Sequence, residues 1–131
     1  MKRDHELIRN ILLDIEERHP GFGLLNYKFG DHGFDGVSDE ALVGHIKLMM
    51  DAGLIEIPAS QWISSSGVSI HGLTYRGYDI LDSIRDRDIW NMAKENVLSV
   101  QDMGIEMLGK LARAYLKKKL EKVTGLELEG L

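Results

Sequence analysis

Five histidines and 21 carboxylates are the side chains in this sequence that could hold a metal or move a proton, so their spacing is the first thing to weigh. His5, His19, His32, His45 and His71 stand singly, and no two share the i, i+4 spacing that puts a pair of imidazoles on one helical face around zinc. Asp31-His32-Gly33-Phe34-Asp35-Gly36 has the carboxylates and glycine of a calcium loop. Gly33, however, replaces one ligand, and Leu42 stands where the bidentate glutamate belongs. The same loop lacks the strand-to-helix glycine fingerprint of a nucleotide site. No serine sits in a nucleophile-elbow context, and the absence of cysteine excludes disulfides, thiolate metal sites and thiol catalysis. The reading is therefore non-enzymatic, with no catalytic, cofactor-binding or metal-binding residue assigned.

What remains is recognition. His45, Lys47, Gln61, Ser65 and Arg76 carry donors suited to the phosphates and base edges of double-stranded DNA. Trp90, Met103, Met107, Leu111 and Tyr115 are large and apolar, the type that seats a homodimer through C-terminal helices or fills a core.

The elements that must position these residues follow from capping and periodicity. Asp4 caps a helix to about Arg18, with Leu7, Ile8, Ile11, Leu12 and Ile15 at the spacing of a buried stripe. Leu24 to Phe29 alternate as a strand, and a glycine-rich loop follows. Ser38 caps the next helix, Leu42, Ile46, Met49 and Met50 supply its apolar face, and Gly53 ends it. Leu54 to Ile57 and Val68 to Leu73 are expected to pair as strands around a polar loop. Thr74 caps a helix through Arg85 with Tyr78, Leu81 and Ile84 inward, and Asp86-Arg87-Asp88 marks a bend before a helix from Ile89 to Leu98. Ser99-Val100-Gln101-Asp102 matches a capping box for a last helix to about Val123. Such a helix needs a surface to pack on, because it is marginal alone.

Helix, strand, loop, strand and capped helix in that order describe an α+β winged-helix domain over residues 1–85. A C-terminal helical extension over 86–123 and a flexible tail over 124–131 complete the organisation. The charge balance is uneven: residues 1–85 hold 8 Lys/Arg against 13 Asp/Glu, and residues 86–131 hold 8 against 8. A DNA-binding module normally carries a basic footprint, whereas here the winged-helix part is the acidic one. No run of about 18 apolar residues is present to span a membrane, and the opening residues lead into an amphipathic helix that does not resemble a signal peptide, so the expected location is cytoplasmic.

Several blocks resemble a family of small bacterial and phage proteins, domain-of-unknown-function family 2513. They are Met1-Lys2-Arg3-Asp4 with Leu7-Ile8-Arg9, the Asp51-Ala52-Gly53-Leu54-Ile55 block, Gly72-Leu73-Thr74 with Gly77, and Leu81-Asp82 with Arg85-Asp86 and Trp90. That resemblance implies no activity and no catalytic residues. The middle of the chain is also similar to the winged helices of multiple-antibiotic-resistance-type and PadR-type repressors, which implies DNA-binding transcriptional regulation. Two departures stand out: a strand and glycine loop occupy the place of a second helix, and residues 57–71 contain no Lys or Arg. The alternative expectation is a protein–protein interaction module working through its acidic surface.

Overall fold

Asp4 opens the structure as its sequence position predicts: its carboxylate accepts from the backbone N–H groups of Glu6 and Leu7 and starts α1, His5–Arg18. The structure is a computed structural model that describes residues 1–95 and 104–125. In it α1 is followed by β1 (Leu25–Lys28), α2 (Asp39–Asp51), β2 (Ile55–Glu56), β3 (Gly67–Ile70), β4 (Gly72–Leu73), α3 (Tyr75–Ile84), α4 (Arg87–Glu95) and α5 (Ile105–Thr124). The fold class is α+β. The chain divides into two compact units, Met1–Tyr78 and Asp79–Leu131, so the dividing point falls within α3.

In the first unit, the stripe Leu7, Ile8, Ile11, Leu12 and Ile15 of α1 is buried, as are Leu42, Ile46 and Met49 of α2. Ser38 caps α2 by accepting from the Ala41 N–H. Gly53, at φ +74°, closes it, with its N–H donating to Met50 and the Leu54 N–H reaching back to Met49. These are the paired bonds that satisfy the last carbonyls of a helix.

Strand pairing differs from the expected hairpin of Leu54–Ile57 with Val68–Leu73. The second strand breaks at His71, and its halves take different partners. β3 pairs antiparallel with β1, placing Leu25 opposite Ile70 and Tyr27 opposite Val68, while β2 pairs with β4. On its other edge β3 meets the loop strand: Ile63 bridges Val68, and the Ser69 N–H donates to the Trp62 carbonyl at 2.7 Å. Tyr27, Val68 and Ile70 are buried while Asn26 and Lys28 face out, the period-two pattern of a sheet with one covered face. Gly67 makes the β1–β3 approach possible, because a Cβ there would collide with the backbone carbonyl of Tyr27.

Thr74 joins α2 to α3. Its hydroxyl donates to the Gly53 carbonyl and accepts the Gly77 N–H at 2.9 Å. Tyr78, expected inward, is exposed. The buried line of α3 is instead Gly77, Leu81 and Ile84, since the backbone carbonyl of Leu54 lies where a Cβ of residue 77 would be.

In the second unit, α4 packs on α5 and the buried apolar side chains are Leu81, Ile84, Ile89, Trp90, Ala93, Ile105, Leu108 and Ala112. Asp86 caps α4 through the Ile89 N–H. The expected capping box at Ser99–Asp102, the end of the preceding helix near Leu98, and Met103 lie outside the described residues. The described part of the last helix starts at Ile105 after an extended Gly104 that supplies no side-chain cap, and ends at a left-handed Gly125.

Candidate nucleic-acid interface

α2 begins at the capping Ser38 and turns its apolar stripe inward, which leaves Glu40, Lys47 and Asp51 exposed. Lys47 thus sits on the outer face as its position predicts, with a carboxylate on either side along the helix. His45 does not. Its relative exposure is 2 %, and both ring nitrogens are occupied: Nε2 accepts the Asp4 N–H at 2.9 Å, and Nδ1 donates to the Ala41 carbonyl at 2.8 Å. With one nitrogen accepting, the ring is the neutral Nδ1–H tautomer. His45 is a clamp between α2 and the start of α1, and it leaves the set of expected DNA contacts. The side chain of Met1 lies over Gly44 between Glu40 and Lys47.

Arg76 is exposed in the first turn of α3, and its stem passes close to Gly53 at the carboxyl end of α2. Gln61 and Ser65 are exposed in the polar loop between β2 and β3. Gln61 is the one non-glycine residue with a positive φ among those described, at 60°. Ser64 and Ser66 hydrogen-bond each other through their hydroxyls at 3.0 Å, which turns the loop tip at Ser65. The structure therefore groups Arg76 with the end of α2 and puts Gln61 and Ser65 on a separate loop.

Of the residues expected at a dimer interface, Trp90 is fully buried within its own chain and is core, not interface. Met107 is exposed, and Leu111 and Tyr115 are half-buried on α5.

Sequence spacing missed two polar arrangements. The Tyr27 hydroxyl donates to the Asp14 carboxylate at 2.6 Å, and Arg18 binds the same oxygen at 3.0 Å with its guanidinium 5.1 Å from the Tyr27 ring centre. Burial and the hydrogen bond to Asp14 push the Tyr27 hydroxyl well above its ordinary value. His19 and His32 close turns in the same manner. His19 accepts the Gly21 N–H and donates to the Gly23 carbonyl; His32 accepts the Phe34 N–H and donates to the Val37 carbonyl. The signal that could have found both is a histidine placed just before a run of glycines. Among the described residues no three His, Asp or Glu side chains converge as metal ligands, and no helix is long and apolar enough to cross a membrane.

The family described as hypothetical protein (DUF2513) matches residues 2–104. The chain belongs to this family. It is also 31 % identical over 121 residues to an uncharacterized protein of Haemophilus influenzae, covering 92 % of this chain and 99 % of that one. No solved structure matches the chain.

Proposed function

We propose that the first unit of this DUF2513 member is a winged-helix-like module and that the protein binds double-stranded DNA as a non-enzymatic regulator or accessory factor in the cytoplasm. The observation that carries the reading is the sequence of elements around α2. A capped helix with an outward lysine leads through Gly53 into β2, then through an exposed polar loop into a strand and a capped α3, with Arg76 at the end of α2. Winged-helix modules set a helix and a hairpin loop against a duplex in this arrangement. Lys47 and Arg76 are the contacts assigned to phosphates, with Gln61 and Ser65 contributed by the loop. Pairing of two copies would use Met107, Leu111 and Tyr115.

A specific observation favours a second reading, contact with a protein partner. Met1–Tyr78 holds 7 Lys/Arg against 11 Asp/Glu, the exposed side of α2 is mostly acidic, and the loop from Pro58 to Ser66 has no cation. The discriminating experiment is selection of fragmented genomic DNA on the purified protein at physiological salt, where specific binding outlasts non-specific binding. Enrichment of a few sites supports the DNA reading. Recovery equal to a bare-bead control removes it and leaves the acidic surface as the working face.

A further inference from the structure

The densest positive surface among the described residues lies on α5, far along the chain from the element expected to read DNA. From Ile105 to Thr124 the helix carries six cations, Lys110, Arg113, Lys117, Lys118, Lys119 and Lys122, against two acids, Glu106 and Glu121. Lys110, Arg113 and Lys117 fall at i, i+3 and i+7, so they share one face; Lys118 and Lys122 extend it. From Lys110 to Lys122 this strip runs about 18 Å at the helical rise of 1.5 Å per residue. Ala114 sits within it and offers no bulk to hold a partner away; Glu106 and Glu121 fall on the same face, which leaves an excess of four positive charges.

The charges on the strip differ in how far they are committed. Arg113 donates to the Ser83 hydroxyl at 3.2 Å, and Lys119 lies 3.8 Å from Asp86. Lys110, Lys117, Lys118 and Lys122 form no ion pair among the described residues. The opposite side of the helix is spent on packing: Ile105, Leu108, Gly109 and Ala112 are buried, with Gly109 close to Ile80 and Ser83.

We propose that this outward face of α5 binds the phosphate backbone of nucleic acid. The proposal rests on the nucleic-acid reading above but assigns phosphate contact to a different element from α2. Three features select this partner. A membrane-surface helix needs its apolar side free to enter the bilayer, and here that side is already buried. Protein interfaces are depleted in lysine at their centres, whereas phosphates are bound well by lysine as a point charge. Duplex DNA presents one charge for about every 1.7 Å of axis, so an 18 Å strip meets several phosphates at once. α5 contains no Asn or Gln, the side chains that pair with adenine edges, and its lysines serve phosphates as point charges.

The test uses the full chain, a short fluorescent duplex of mixed sequence, and a salt series read by anisotropy. K110Q/K117Q/K118Q removes three charges with a residue of similar helix propensity, and circular dichroism checks that α5 persists. Wild type is expected to bind with a steep salt dependence. The triple variant is expected to lose about tenfold or more in affinity at low salt, its log–log slope becoming shallower by up to about 2.7, or about 0.9 per phosphate contact. If the triple variant binds as wild type does while K47Q/R76Q loses affinity, the inference falls and the DNA reading stands. If wild type binds no duplex at all, both fall; capture of polyglutamate, or of vesicles containing phosphatidylserine, then marks α5 as a protein or lipid contact instead.

Discussion

α2 and α5 are both built to bury one side and show the other, yet the sides they show have opposite sign. On α2 the outer residues are Glu40, Lys47 and Asp51, and Met1 covers the small residue at the middle. On α5 cations outnumber acids six to two, with Glu106 and Glu121 the two carboxylates among the basic residues. The order of elements points to α2 as the reading helix, while charge points to α5. Element order fixes where a helix can be presented, but the residue types on its exposed face decide what it can bind. An acidic face near a duplex incurs repulsion that no topology removes.

The largest effect is expected where α5 loses the surface it packs on. Trp90 is fully buried on α4, against which α5 packs, so Trp90→Ala should cost about 3–5 kcal/mol in urea or thermal unfolding. Anion binding should fall with it. Retention of full stability would mean the indole is not core after all.

His45→Ala tests the other side. It removes a buried ring and both of its hydrogen bonds, leaving the Asp4 N–H to find water, and should cost about 2 kcal/mol. A drop in duplex affinity with no change in stability would return His45 to the contact surface.

Tyr27→Phe, which leaves Asp14 with Arg18 alone, should cost about 1–2 kcal/mol at neutral pH. Because the folded hydroxyl titrates above the unfolded value of 10.0, its contribution is complete below that pH and drains away above it. The gap between wild type and Tyr27→Phe should therefore narrow as pH rises beyond about 10, as followed by denaturation midpoints. A gap that widens would reverse the sign.

The smallest effect is expected on the surface of the first unit. K47Q/R76Q, with both residues on the surface, should leave stability within about 0.5 kcal/mol and reduce duplex affinity less than the α5 triple variant does. Equal losses from the two would make the faces partners rather than opposites.

Much of the first unit was legible in the sequence because its signals are local. Asp4, Ser38 and Thr74 cap helices, Gly53 ends one, and the stripe of α1 is buried where the 3.6-residue period puts it. Pairing partners were less legible. Nothing within Val68–Leu73 says that its two halves take different strands, because that choice depends on contacts more than forty residues away in β1. Tyr78 has the period of an inward residue, yet it is exposed because the close approach of the Leu54 backbone needs the glycine beside it at 77. The family was legible too, from blocks spread along nearly the whole chain. At the candidate interface, Lys47 could be placed on a helix face by period alone, but His45 could not be placed inside, since its partner Asp4 lies in another element.

Gly67 carries a consequence for how this sequence can change over time. Any other residue there meets the Tyr27 carbonyl, so the Lys28–Gly67 end of the β1–β3 pair would have to open to admit it. The cost of a side chain at 67 thus falls on strand pairing and not on the core, although the loop before it is free to vary in length and sequence.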